Sequence, residues 1–143
     1  MKKKHLGFFL FIAFSMLIFQ FSIAFKNNEK QSLNKSLLGI WVQTKYAAGS
    51  IELTRSKSFL NNNPGIEFKT NGKMVKRANS SWCGTPPISY RNYNGIWTVN
   101  PVDSTVHAIY DFWGGKFDNI YKVKSLSNSE LVLEIVESKT IKE

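Results

Sequence analysis

The sequence predicts an all-β protein folded as an eight-stranded antiparallel up-and-down barrel. Short segments of alternating apolar and polar residues follow one another from residue 39 onward, turn residues separate them, and no long helical pattern interrupts them. Consecutive hairpins place neighbouring strands antiparallel, and closure into a barrel removes exposed sheet edges. A two-sheet sandwich has the same periodicity and remains the structural alternative.

The first 24 residues predict a secretory signal peptide. Lysines at positions 2–4 precede an uncharged run over 6–25, and Ser22-Ile23-Ala24 supplies the small residues of a cleavage site. We expect cleavage after Ala24, with an uncleaved anchor as the alternative because the run is long enough to cross a bilayer. The sequence therefore predicts an exported protein, periplasmic or secreted, with no stable membrane insertion once the leader is removed.

Residues 25–38 are predicted to be a polar lead-in to a single domain over 39–143. The lead-in turns apolar at Leu33 and Leu37, which predicts one helical turn that closes one end of the barrel. Cys83 is the one cysteine of the chain, so no intramolecular disulfide forms and the fold must depend on its core.

Turn residues divide the domain into strands. The first strand is predicted over 39–47, and 54–64 is predicted to be a loop. Asn71-Gly72 lies between two alternating segments and predicts a type I′ hairpin, whose two central residues need positive φ. The other predicted strands cover 51–53, 65–70, 73–78, 93–100, 104–112, 117–126 and 130–137.

The chain is basic, with a net charge of +9. The densest basic group is Lys69, Lys73, Lys76 and Arg77, around the Asn71-Gly72 hairpin. We expect these side chains to form a solvated hairpin face, with a patch for anionic lipid or polyanion as the alternative. An exported protein with this start is not expected to bind nucleic acid, and we expect a monomer.

Four motifs occur in a fixed order along residues 33–137: Leu38-Gly39-Ile40-Trp41, Ile66-Glu67-Phe68 with Asn71-Gly72, Gly95-Ile96-Trp97, and Ser125-Leu126 through Leu133. In this set the chain resembles the lipocalin-like domain proteins that many Bacteroidetes-type bacteria export. The chain is shorter than a typical lipocalin and lacks its C-terminal helix and its disulfide.

The resemblance implies a role in construction for the first motif. Trp41 is expected to close one end of the barrel and to pack with a basic residue from a late strand, either Lys122 or Lys124. Gly39 is expected to allow the close approach of that cation. The resemblance predicts the fold but does not identify a ligand.

The aromatic content, 14% of the chain, favours an interior that binds a small hydrophobic ligand. A barrel with a filled core, serving as a structural or protein-interaction domain, is the alternative. Arg77 or Arg91 is a candidate to face a ligand carboxylate. The predicted ligand-binding residues are Phe68, Trp97, Tyr110, Phe112 and Tyr121.

The sequence favours a protein that is not an enzyme and holds no cofactor or metal. His107 has no neighbouring histidine or cysteine with ligand spacing, and it is expected to be a structural or surface residue. Asp111 and Asp118 flank the Gly114-Gly115 turn and are the pair of acids closest to a catalytic arrangement. No nucleophile elbow or phosphate-binding glycine loop is present in the sequence.

Overall fold

Eight strands close into one antiparallel barrel, which confirms the predicted up-and-down fold. The computed structural model describes residues 33–82 and 84–141, so the predicted leader and Cys83 lie outside the described residues. The strands are β1 (Gly39–Ala47), β2 (Ser50–Ser56), β3 (Gly65–Phe68), β4 (Lys73–Asn79), β5 (Tyr90–Asn100), β6 (Thr105–Phe112), β7 (Gly115–Leu126) and β8 (Glu130–Ile141). Around the barrel they follow the order β1-β2-β8-β7-β6-β5-β4-β3.

One connection does not join neighbouring strands. Both β2 and β3 pair with β1, one on each side, so residues 57–64 must cross β1 to connect them. We call this segment the crossover. Arg77 points outward from β4 and donates from Nε to the Leu60 carbonyl at 3.1 Å and from Nη2 to the Asn61 carbonyl at 3.0 Å. The crossover therefore lies on the outer face of the barrel.

The crossover also explains a buried valine on the outside. Val42 pairs with Gly65 on the outer face and is only 4% exposed. A Cβ on Gly65 would lie 3.0 Å from the ring of Phe59, so Phe59 of the crossover packs directly onto this glycine. The alternating pattern of β1 predicts a solvent-facing position for Val42, and a long-range contact covers it.

The predicted Asn71-Gly72 turn is confirmed by its backbone angles. Both residues have positive φ, 67° at Asn71 and 70° at Gly72, as a type I′ turn requires. Strand β3 ends at Phe68, two residues earlier than predicted, because Thr70–Gly72 form a single 3-10 turn and the loop has three residues between Lys69 and Lys73. The amide of Lys69 closes the hairpin on the Lys73 carbonyl at 2.9 Å.

A short helix, α1, covers residues 33–37 and packs on one end of the barrel. We call this the plug end; the turns between β3 and β4, β5 and β6, and β7 and β8 also lie there. The opposite, distal end carries the β1–β2 turn, the 80–89 segment and the β6–β7 turn. In the described part of the chain, no helix is long or apolar enough to span a membrane.

The core occupies the interior of the barrel, because alternate residues of each strand point inward. It is continuous from the plug end to the level of Tyr110 and Tyr121. Its buried members are Leu37, Trp41, Ile51, Leu53, Ile66, Phe68, Met74, Trp97, Val99, Val106, Ala108, Tyr110, Tyr121, Leu131 and Leu133.

Candidate ligand-binding interior

Trp41 closes the plug end, as the resemblance implied. Its side chain is fully buried, and its indole Nε1 donates to the Leu37 carbonyl of α1 at 2.7 Å. The guanidinium carbon of Arg55 lies 4.0 Å from the centre of the Trp41 ring. Gly39 has φ of 119°, and a Cβ there would lie 2.9 Å from Arg55 Nη1. Gly39 therefore permits the close approach of the cation.

The prediction that Lys122 or Lys124 supplies this cation is wrong. Neither Lys122 nor Lys124 covers Trp41: Lys122 donates to the Asp103 carbonyl, and Lys124 pairs with Glu134 at 3.2 Å. The cation is Arg55 of β2, a residue that the sequence places in a loop. Strand β2 continues to Ser56, so the alternation of Ile51 and Leu53 extends to Arg55 and turns it inward.

All five predicted ligand-binding residues lie on the inner face, but they form two groups. Phe68 and Trp97 pack together near the plug end with ring centres 4.8 Å apart. The indole of Trp97 donates to the Lys69 carbonyl at 3.0 Å. Trp97 and Val99 also border a pocket of about 400 Å³ between α1 and the β3–β4 turn, so this group faces the plug end.

The second group lies toward the distal end. Phe112 is half-buried and stacks on Phe117 with ring centres 4.2 Å apart, while Trp113 meets it edge-on at 5.5 Å. Tyr110 contacts the same Phe117 ring at 5.8 Å. Phe117 is not among the ligand-binding residues that the sequence predicts. Its cross-strand pairing with Tyr110 places it on the inner face.

Tyr110 and Tyr121 meet at a buried amide. Asn119 is 4% exposed and donates from Nδ2 to the Tyr110 hydroxyl at 2.8 Å and to the Tyr121 hydroxyl at 2.9 Å. The two hydroxyls lie 3.3 Å apart. Burial raises the pKa of both phenols above the usual range, so both stay neutral. The Asn119 Oδ1 atom is buried without a hydrogen-bond partner among the described residues.

Lys76 points into the barrel, so the predicted solvated hairpin face is wrong for this residue, whereas Lys69 and Lys73 are exposed. It is 7% exposed, and its partners across the strands are Ile66 and Tyr93, both buried on the inner face. Burial lowers the pKa of its ammonium group to about 8. The alternation of Met74, Lys76 and Ala78 indicates that Lys76 lies on the same face as Met74. The neighbouring basic residues Lys73 and Arg77 favour a solvated face instead.

The two candidate arginines have different positions. Arg77 binds the crossover and, at 3.1 Å, the Asn92 Oδ1 atom on the outer face, so it does not reach the interior. Arg91 lies on the inner-face register of β5 at the distal end, with its guanidinium carbon 4.8 Å from the centre of the Tyr93 ring. Of the two, only Arg91 lies on the inner-face register, where it is exposed at the distal end.

The two acids considered for catalysis lie on the outer face, each beside a basic side chain. His107 Nε2 lies 2.6 Å from Asp118 Oδ1 on the outer face, and Asp111 pairs instead with Lys116 at 3.2 Å. The sequence missed the His107–Asp118 pair because the two residues are diagonal neighbours on adjacent strands. Within residues 33–82 and 84–141, no group of histidine, cysteine and acidic residues has the arrangement of a metal site.

The fold and the interior define a class: a closed eight-stranded antiparallel barrel, compatible with a lipocalin-like fold, with a plug at one end and buried polar groups inside. Comparisons with known families, with characterised proteins and with solved structures find no match for the chain.

Proposed function

We propose that this protein is an exported, lipocalin-like barrel that binds one small hydrophobic molecule in its interior. A barrel of eight strands has room for filling side chains or for one small ligand. The plug of Trp41 and Arg55 blocks one end, so a ligand enters from the distal end. The proposal assigns no reaction to the barrel, and its partner is a small molecule bound by the monomer.

The buried amide of Asn119 carries the proposal. Buried polar atoms are almost always hydrogen-bonded, because an unpaired one costs about 1–3 kcal/mol. Nδ2 is engaged by Tyr110 and Tyr121, while Oδ1 has no partner among the described residues. A ligand with one hydroxyl or amide donor and an otherwise apolar body would complete this amide.

Native mass spectrometry tests the proposal directly. Protein purified from its own host without detergent should carry one additional mass of roughly 200–500 Da, the range suited to a pocket of this class, and denaturation should release it. The variant Asn119→Leu should lower the bound fraction, whereas a change at the outer pair, His107→Gln, should not.

The identity of the N-terminal residue in the recovered protein tests export. Protein recovered from the periplasm or the medium should begin at Phe25, after cleavage behind Ala24. A protein that remains in the membrane fraction with residues 1–24 attached would contradict cleavage.

The alternative is a filled barrel that serves as a structural or protein-interaction domain. It predicts the ligand-free mass from the host and no binding of an apolar fluorescent probe to refolded protein. Either result, obtained with fully folded protein, would favour this alternative over the proposal.

A further inference from the structure

The interior of the barrel contains a cation, Lys76, that has no ionic partner among residues 33–82 and 84–141. Lys76 lies between Ile66 of β3 and Tyr93 of β5 on the inner face, and it is 7% exposed. Lysine is almost never buried this far unless a partner compensates its charge.

No carboxylate provides that partner within the described residues. The ion pairs there join acids to other cations: Lys45, Lys69, His107, Lys116, Lys124 and Lys139. The acids of these pairs, among them Glu67 and Asp118, are held on the outside of the barrel. Burial alone lowers the pKa of Lys76, with no opposing contribution from an anion.

A second positive side chain, Arg91, lies between the distal end and Lys76. Arg91 pairs with Ala78, one inner-face position closer to the distal end than the Tyr93–Lys76 pair. It is exposed, and its guanidinium covers the Tyr93 ring at 4.8 Å. An anion that enters from the distal end therefore passes Arg91 before it reaches Lys76.

Apolar side chains lie on the inner face between the distal end and the core. Phe112 and Phe117 stack on the inner face near the distal end and are only half-buried. Met74, the next inner-face residue of β4 toward the plug, is 2% exposed. The combination is one unpaired cation within an aromatic and aliphatic lining.

From this arrangement, we propose that the ligand of the barrel, besides the donor that reaches Asn119 Oδ1, carries a single carboxylate, which forms an ion pair with the Lys76 ammonium group while its apolar body packs against the inner aromatic residues. This inference rests on the proposed interior site and names the chemistry of its ligand. The carboxylate supplies the charge that the fold leaves unpaired, and Arg91 attracts it to the distal opening.

Binding of matched ten-carbon ligands tests the proposal by calorimetry. Decanoate, decanol and decyl phosphate share one apolar body and differ in the head group. Wild-type protein should bind decanoate most tightly. Lys76→Met should weaken decanoate binding by about 30-fold or more, as expected for removal of one partner of a buried charge pair. Decanol binding should change by less than about threefold.

Lys73→Met is the matched control, because Lys73 lies on the same strand but is exposed and points outward. It should leave decanoate binding unchanged. If Lys76→Met does not fold, the wild-type protein still decides the question. At about pH 8.5, above the lowered pKa of Lys76, decanoate binding should take up protons in calorimetry with two buffers, and decanol binding should not.

Five outcomes overturn the inference. Equal weakening of decanoate and decanol in Lys76→Met, or decanoate binding without proton uptake, shows that Lys76 is not the anchor. Tighter binding of decyl phosphate than of decanoate shows that the head group is not a carboxylate. If decanol binds and decanoate does not, the inference fails alone; if none of the three ligands binds, the proposed interior site fails with it.

Discussion

The Arg55 guanidinium covers the Trp41 ring at 4.0 Å and, from the same position, binds the end of α1. Its Nη1 donates to the Leu38 carbonyl at 2.6 Å and its Nη2 to the Ser36 carbonyl at 2.7 Å. Its Nε donates to the Asn128 carbonyl of the β7–β8 turn at 2.7 Å. One side chain thus joins the helix, the plug and a distant turn, which explains how α1 stays on the barrel.

Replacement of the plug should cost stability. Trp41→Ala removes the largest fully buried side chain and its hydrogen bond to Leu37, and we expect a loss of about 3–5 kcal/mol in chemical unfolding. Trp41→Phe keeps a ring against Arg55 and should lose clearly less. A loss below about 1 kcal/mol for Trp41→Ala would show that the plug is not a structural element.

A methyl group at Gly95 should disturb the barrel wall. A Cβ there would lie 2.5 Å from the Ile109 carbonyl oxygen and 2.6 Å from Tyr110 Cβ, so Gly95→Ala should destabilise by about 1–3 kcal/mol through overpacking. Gly84→Ala is the control, because a Cβ at Gly84 has no atom within 4 Å. Equal stability of the two variants in urea would contradict the close strand contact.

The stability of the ligand-free protein should depend on pH through Lys76. The folded pKa of about 8 lies below the ordinary value of 10.5, so between these pH values the unfolded chain binds a proton that the folded chain does not. Stability therefore rises with pH across this window, by up to about 3 kcal/mol. Lys76→Met should be more stable than wild type below about pH 8, and its own curve should lack this rise. Parallel curves for the two proteins between pH 8 and 10.5 would contradict the burial of Lys76.

The crossover should depend on Arg77. Arg77→Met removes the hydrogen bonds to the Leu60 and Asn61 carbonyls, and we expect faster amide exchange and proteolysis within 57–64. The remainder of the barrel should keep its protection. Lys73→Met, on the same strand but exposed, is the control. Unchanged exchange in Arg77→Met would mean that the other contacts hold the crossover: Phe59 with Gly65, and the hydrogen bonds of Asn63 and Pro64 to Gln43.

Local pattern predicted the barrel because each strand carries its own alternation and most turns carry their own chemistry. The Asn71-Gly72 turn and strand β1 were predictable for this reason. The strand order was not predictable, because no local pattern near residues 57–64 indicates that they cross β1. Hydrogen bonds to this segment come from a distant residue, Arg77 on β4. The full length of β8, to Ile141, depends likewise on its pairing with Lys116 of β7.

The candidate site was predictable in part for the same reason. Alternation correctly placed Tyr110 and Tyr121 on the inner face, but it does not reveal that they meet at Asn119. A polar residue at an inward position looks like a surface residue in a sequence, and the basic residues around Lys76 favour a solvated position for it as well. The burial of these polar groups follows from their strand partners, which local sequence does not specify.

Intermolecular nuclear Overhauser effects between decanol and assigned side-chain groups test interior binding most directly. Binding inside the barrel predicts contacts from the ligand to Met74, Val106 and Ala108, which are buried on the inner face. Contacts confined to the exposed outer residues Ile96 and Val136, or to Leu38 and Thr70 at the plug-end pocket, would contradict it.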